Sequence, residues 1–430
     1  MAKTDRIIYQ SESLFVSPHK PTSGTELDEN HIKEINRVQD MSYNLEISRT
    51  DINEFGQLAA LSREVTEPPT VSLDFSYYLT DGTQEDALGF KLNKFSKLPL
   101  ASPDSFTADL LSGNNDEKNF YIITTKEGSD VHHPTKFLNS ADNGVIGIGN
   151  AFVTSYGINA AVGELATASV SVEASNIVFK NDLSSSGNDR LQNPSVDVTS
   201  ATGDRLTERV DFSALKSNDG DIKSNHTDNS IFALRPGDIT IDFDAVGWLD
   251  GTKNAGDLTI GGARLPGAGK DALGANETSV HIQSVSIDLP IGRSPLNRLG
   301  NHFAFARKVD FPVNMTLNAS ALMTDFTEGS LDDLMCEGEQ KRDIAIIMRS
   351  QCGDSTPLVF VMRNAILDTQ AFSASIGDNK TVDLTFSSQI GGANDSDNGI
   401  FVLAEPGNPG VAEYQSDTPT PQPYATPTPD

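Results

Sequence analysis

The sequence predicts a mainly β protein of two tandem domains, each made of packed antiparallel sheets with a short flanking helix. Three observations lead there. The first is an internal repeat. Residues 37–81, RVQDMSYNLEISRTDINEFGQLAALSREVTEPPTVSLDFSYYLTD, align without a gap with residues 281–325, HIQSVSIDLPIGRSPLNRLGNHFAFARKVDFPVNMTLNASALMTD, at a constant offset of 244. Gln39 meets Gln283, Arg49 meets Arg293, Gly56 meets Gly300, Arg63 meets Arg307 and Pro68 meets Pro312. A fixed offset with Gly, Pro and Arg in register marks a duplicated unit. The second is period-two alternation of apolar and polar residues, the mark of a sheet with one dry and one wet face. The third is a hairpin signal that closes each copy, with Gly163 and Gly377 in the turns.

Taken in order, residues 7–16 read as an opening strand, followed by a polar loop. In the first copy Met41, Tyr43, Leu45 and Ile47 alternate with polar neighbours, then Val71, Leu73, Phe75 and Tyr77 do the same. Val285, Ile287, Leu289 and Ile291, then Val313, Met315, Leu317 and Ala319, repeat the pattern. Gly56 and Gly300 sit between the two runs, where a bend or a positive φ costs glycine least. Each copy is therefore built on an antiparallel pair of long amphipathic strands.

GTQEDALGFKLNKFSKLPLASPD reads as a loop, and SFTADLLSG as a short helix with Ser105 as its N-cap. Its counterpart is GSLDDLMCEG, capped by Ser330. A short apolar strand follows each, residues 120–125 and 344–348. The hairpins INAAVGELATASVSVEA and AFSASIGDNKTVDLTF come next, with Thr167 and Thr381 opening the returning strands. The expected organisation is a first domain over 1–180, a polar, exposed linker or insertion over 181–237, a second domain over 238–395, and a mobile Pro/Thr-rich tail over 396–430.

Composition narrows the function classes. Sixty Asp and Glu against 32 Lys and Arg leave a formal charge of −28 over 430 residues. Such a chain repels nucleic acid and anionic membranes. No apolar run approaches bilayer length, and MAKTDRIIYQ lacks the apolar core of a signal peptide. Cys336 and Cys352 are the only cysteines. They read as free thiols of a protein made in a reducing compartment, although their nearness also allows a bridge.

Candidate chemistry fails on spacing. GAGK at 267–270 has Arg264 where a phosphate loop needs glycine and Asp271 where it needs Ser or Thr. GIGNAF at 147–152 lacks the third glycine and the βαβ setting of a dinucleotide site. His132 and His133 are adjacent and have no further ligand pair. The acid clusters at Asp219–Asp221 and Asp395–Asp397 lack calcium-loop spacing, and Asp332-Asp333 is not framed by an aromatic cleft, since Trp248 is the single tryptophan. The expectation is no enzyme activity, no catalytic residue, no metal and no cofactor. The paired arginines Arg49/Arg293 and Arg63/Arg307 have two readings. They are solvated strand-end charges, or each anchors a carboxylate across a domain or subunit contact.

With these residues in view, the chain resembles the major tail tube proteins of long-tailed bacteriophages. The carriers are IIYQSESLFVSP, RVQDMSYNLEISRTDINEFGQLA, PPTVSLDFSYYLTD and YGINAAVGELATASVSVEASNI in the first half. LPIGRSPLNRLGN and FSASIGDNKTVDLTFSSQIGG carry it in the second. The resemblance implies two packed antiparallel sheets with a flanking helix, and rings stacked into a hollow tube whose inner sheets form one barrel. It also implies a place in the virion tail after assembly in the host cytoplasm. The implied partners are a tape-measure protein in the lumen, DNA in transit without specific binding, terminator and baseplate or tip proteins at the ends, and a sheath where the tail contracts. No membrane partner is implied.

Most such proteins carry one tube domain per chain. Two per chain lead to an expectation of trimeric rings with pseudo-sixfold symmetry. The structural or interface candidates are Arg49, Gly56, Arg63, Pro68, Gly163, Arg293, Gly300, Arg307, Pro312 and Gly377. Alternatives are a tube-initiating or terminator ring on the same fold, or a carbohydrate-binding surface adhesin. An adhesin calls for a secretion signal and aromatic platforms.

Overall fold

The computed structural model describes residues 12–21, 26–28, 31–100, 102–113, 116–125, 131, 143–181, 183, 190–198, 203–212, 234, 239–242, 245, 248–249, 263–264, 280–323, 341–349, 358–373, 381–404 and 406. The first half carries β1 (Glu12–Pro18), β2 (Glu26–Leu27), β3 (Lys33–Ile35), β4 (Val38–Glu46), β5 (Arg49–Ile52), β6 (Ser62–Val65) and β7 (Thr70–Tyr78). Helices α1 (Thr83–Leu88) and α2 (Ala108–Ser112) precede β8 (Glu117–Thr125), β9 (Asn143–Ala161), β10 (Thr167–Ala174), β11 (Asn176–Lys180) and β12 (Arg209–Val210). The second half carries β13 (Ile239–Asp242), β14 (Ala263–Arg264), β15 (Val280–Pro290), β16 (Arg293–Leu296) and β17 (Ala306–Val309). It continues with β18 (Val313–Met323), β19 (Arg342–Met348), β20 (Leu358–Ser373), β21 (Thr381–Ile390) and β22 (Gly399–Ala404). The protein is mainly β.

One large sheet gathers most strands in the order β14-β13-β19-β20-β21-β18-β15-β9-β10-β7-β4, with β1, β3, β8, β11 and β22 branching from it. The halves meet by strand pairing. β15 lies antiparallel to β9, from Ser284 opposite Ala161 to Pro290 opposite Ser155. Alternation explains the layer: along β7 and β10 every second residue is buried, and the partners between them are polar or half exposed.

The long strands β9 and β20 each serve two layers. The first part of β9 pairs with β8 and β11, and the last part with β10 and β15. β20 pairs first with β19 and β22, then with β21. Asn150 (φ 51°) in β9 and Asn364 (φ 53°) in β20 take the left-handed conformation that asparagine tolerates better than most residues. Each long strand also carries an extra residue, Thr154 or Asp368, where pairing with β10 or β21 slips. Such a bulge bends the strand and raises its twist. The spacing from Asn150 to Asn364 equals that from Thr154 to Asp368, and both equal the spacing from Thr167 to Thr381.

A single apolar cluster runs through both halves, from Leu73, Phe75 and Phe120 to Leu317, Phe360 and Phe386. The loop after α1 ties them further. Phe106 stacks on Phe90 at 4.2 Å and meets Phe360 edge-on at 6.3 Å, and its amide donates to the Ile400 carbonyl at 2.8 Å. Asn93 and β22 exchange backbone bonds of 2.8 and 2.9 Å.

Several expectations are corrected. The stretch read as a plain loop after β7 begins with α1, flanked by Gly82 and Gly89 at φ 85° and 95°. Thr107, not Ser105, occupies the N-cap of α2, and Ser105 is buried against it. The segment over 181–237 is not exposed in its described part. Leu191, Val210 and Phe212 join Phe15, Tyr121 and Val145 in a second apolar cluster. Asn193 and Ser195 are fully buried and bonded to Asn119 at 2.9 and 2.6 Å. The tail does not begin at 396: β22, GIFVLA, is buried throughout and pairs with β20. The 7–16 strand is described only from Glu12. Ser330, Gly377, both cysteines, the GAGK stretch, the histidine pair and the Asp219 and Asp332 clusters lie outside the described residues.

Candidate assembly interface

Two hairpins with matching bounds project from the sheet. β5–β6 pairs Arg49 with Val65, and β16–β17 pairs Arg293 with Val309, so every strand position of one falls on its repeat counterpart in the other. Gly56 (φ 96°) and Gly300 (φ 87°) both need the left-handed region in the intervening loops. Pro68 and Pro312 lie just ahead of the returning strands β7 and β18. Gly163 (φ 90°) turns the β9–β10 hairpin.

Equivalent arginines have different environments. Arg293 has a side chain only 1% exposed, donates to Asp116 at 3.2 Å and to the Val153 carbonyl at 3.3 Å, and lies 5.0 Å over the Phe152 ring. Burial lowers its pKa, and the Asp116 charge beside it opposes that. Arg307, 4% exposed, pairs with Glu173. Both acceptors belong to the first half of the chain, so the second hairpin is clamped onto the first half. Arg63 instead pairs with Asp51 of its own hairpin at 2.7 Å, with side chains 69% and 45% exposed. Arg49 is exposed and has no ion pair among the described residues. The anchoring reading fits Arg293 and Arg307 of the second copy, and the solvated reading fits Arg49 and Arg63 of the first.

The strands behind the hairpins differ in the same way. In β15, Val285 and Ile287 are 3% exposed and Leu289 0%, because β9 covers that edge. Their counterparts in β4 are Met41, Tyr43 and Leu45, and the last two are 41% and 44% exposed. Ile47, Ile52 and Phe55 extend the apolar surface. Among the described residues β4 ends the sheet, paired with β7 alone. At the other end of this layer, among the described residues, the last part of β20 is also open: 366–373 pairs with β21 on one side only. Ile366 and Phe372 are 39% and 48% exposed there.

The polar face of the sheet is chemically uniform. None of β4, β7, β9, β10, β15, β18 and β21 contains Lys or Arg. Their outward positions hold Ser, Thr and Asn with Asp40, Glu46, Asp74, Glu173, Asp288 and Asp383. Such a surface offers hydroxyls, amides and negative charge, and the guanidinium that reaches it, that of Arg307, is engaged by Glu173.

Elsewhere the described residues contain no group of three or more His, Cys, Asp and Glu that could hold a metal ion. No helix among them is long and apolar enough to cross a membrane. A buried polar knot lies under α1: the Glu85 carboxyl accepts from the Tyr77 and Tyr156 hydroxyls at 2.8 and 2.9 Å. Burial raises the pKa of Glu85 and, together with its charge, those of both tyrosines. The knot is sealed and serves the core. A cleft at the root of β4 is lined by Glu12, Ser13, Glu34, Arg37 and Asp40.

Sequence reasoning missed the Asn150/Asn364 pair and the open apolar edge. The interval from Thr167 to Thr381 was readable in the hairpins, and it leads directly to both asparagines.

No protein-family model matches the chain, and no curated protein matches it. Among solved structures, the SPP1 tail tube matches with 10% identity over 43% of this chain and 90% of that one, at a TM-score of 0.25. The tail of an empty GTA particle, computed with C6 symmetry, matches with 15% identity over 32% of this chain and 95% of that one, at a TM-score of 0.19.

Proposed function

We propose that this chain is a structural subunit of a phage tail, the major tail tube protein, whose rings stack into a conduit for DNA. The observation that carries the proposal is the run from the last part of β20 through β21-β18-β15-β9-β10-β7 to β4, a continuous sheet with a polar face of Ser, Thr, Asn and acids and, among the described residues, an open edge at each end. An open, flat apolar edge is a liability unless something pairs with it, and closure into a barrel removes edges altogether. Two half-sheets of equivalent strands, one set related by the Arg49–Arg293 offset and the other by the Thr167–Thr381 offset, support a duplicated tube domain. A ring of about three chains then presents the wall that about six single-domain chains would form, since heterologous contacts close when the rotation does.

The face rich in Asp, Ser, Thr and Asn suits a lumen that first holds a tape-measure protein and then lets DNA pass without sticking. Terminator and tip proteins would meet the ends of the tube, which places the protein in the virion tail. Electron microscopy of the purified protein at high concentration tests the proposal. Stacked rings with threefold symmetry at the chain level are expected. Isolated rings that never stack would favour an initiator or terminator, and a persistent monomer would refute the reading.

A further inference from the structure

We infer that the open edge of β4 pairs antiparallel with the open edge of β20 in a second copy, with Ser42 opposite Ser373, Tyr43 opposite Phe372, Asn44 opposite Ala371, Leu45 opposite Gln370 and Glu46 opposite Thr369. The inference rests on the ring reading above and adds its partner strand and register. The template is the seam already present inside the chain. There β15 meets β9 with Ser286 opposite Asn159, Ile287 opposite Ile158 and Asp288 opposite Gly157. β4 relates to β15 by the offset that joins Arg49 to Arg293. Its pairing with β7 slips between Val38 and Asp40, and that of β15 with β18 slips between Ile282 and Ser284, the same places in the repeat.

β20 relates to β9 by the offset that joins Thr167 to Thr381. Thr381 lies opposite Ser373 as Thr167 lies opposite Asn159, and the bulges at Asp368 and Thr154 coincide. Carrying the β15–β9 pairing through both offsets leaves one register. A slip of one residue would turn the apolar face of β4 into the lumen, so the register is strongly specified.

The exposure of the edge residues argues for the same occupant. Ile287 and Ile158, opposite each other in the internal seam, are each 3% exposed, whereas Tyr43 and Phe372 are 41% and 48% exposed. A second copy brings this aromatic pair together on the dry face. Arg49 then lies where Arg293 lies, over the carbonyl of Leu367 and beside Asp368, the counterparts of Val153 and Thr154. The clamp acid Glu173 has Ser387 as its counterpart, so the seam between copies lacks the ion pair that Arg307 makes within the chain. The two seams are alike in geometry and different in chemistry.

Disulfide trapping tests the register. In the internal seam Ile291 N donates to Thr154 O at 2.7 Å and Val162 N to Gln283 O at 2.9 Å. Asp288–Gly157 is therefore a non-hydrogen-bonded pair, the kind whose side chains lie closest, and so is Asn44–Ala371 between copies. In full-length protein with Cys336→Ser and Cys352→Ser, the double variant Asn44→Cys/Ala371→Cys should oxidise to a covalent ladder that stops at the closed trimer. Asn44→Cys/Ser373→Cys, a two-residue slip on the same face, should stay uncrosslinked.

Rings or tubes that form but crosslink in the slipped pair, or in neither, would overturn the register while leaving the tube reading intact. Open crosslinked chains that never close would uphold the seam and sink the tube reading. Absence of any association by the parent protein would overturn both.

Discussion

The two halves of the chain make opposite forecasts for the same repeat position. Arg307→Met removes the guanidinium that meets Glu173, and Arg63→Met removes the one that meets Asp51. A fully buried ion pair loses about 3–5 kcal/mol when one partner goes, because the other charge stays buried and alone. Arg307 is 4% exposed, but Glu173 keeps 31% of its side chain in water, which can resolvate a stranded carboxylate. A coupling energy of about 2 kcal/mol is therefore expected from the cycle Arg307→Met, Glu173→Gln and the double variant. The Arg63–Asp51 pair, 69% and 45% exposed, should give at most about 0.5 kcal/mol from Arg63→Met and Asp51→Asn.

Urea unfolding at protein concentrations below self-association measures both cycles, and coincident fluorescence and circular dichroism transitions establish that a single ΔG is meaningful. Raising the salt should leave the first coupling nearly unchanged and erase the second. Equal couplings in the two hairpins would refute the idea that the second hairpin is clamped onto the first half.

Four further outcomes are expected. Tyr43→Ser should leave the monomer folded but weaken each seam: an aromatic side chain of ~150–250 Å², 41% of it still exposed, forfeits about 2 kcal/mol, or ~30-fold in association measured by sedimentation. Self-association should strengthen as NaCl rises, because chains of net charge −28 repel and salt shortens the reach of that repulsion; weaker association at high salt would contradict a seam held mainly by apolar and backbone contacts. Burial lowers the Lys118 pKa from 10.5 to about 8, so between those values the unfolded chain binds more protons and stability rises with pH. Unfolding midpoints should show the parent gaining on Lys118→Met across that window, and a constant difference would count against it. Gly149→Ala would place a methyl 2.3 Å from the backbone at Pro194 and Ser195, which must move at a cost of about 1–3 kcal/mol or more. Limited trypsin digestion should then cut at Arg190 or Arg205 sooner than in the parent, and an unchanged pattern would mean that the segment is not seated on β9.

Period-two alternation alone was enough to place β4, β7, β15 and β18, because side-chain direction along a strand is a local property of the backbone. The glycines at 56, 163 and 300 were legible for the same reason: a positive φ is a requirement of one residue. The helix α1 was not legible, since so short a segment between two glycines carries little periodicity. Nor was the packing of the 181–237 segment or of β22. Asn193 and Ser195 read as loop residues and are buried only because Asn119 on another strand bonds them. GIFVLA reads as a short apolar run until β20 pairs with it.

The arginines show the limit most clearly. Arg49 and Arg293 occupy one position of one repeat, with the same hairpin around them. What separates an exposed guanidinium from one 1% exposed is that β15 found β9 across its edge, whereas among the described residues β4 has only β7. Local pattern specifies a strand and its faces. Burial depends on which strand lies alongside, and that is decided by contacts between segments far apart in the chain, Ile287 on Ile158 among them.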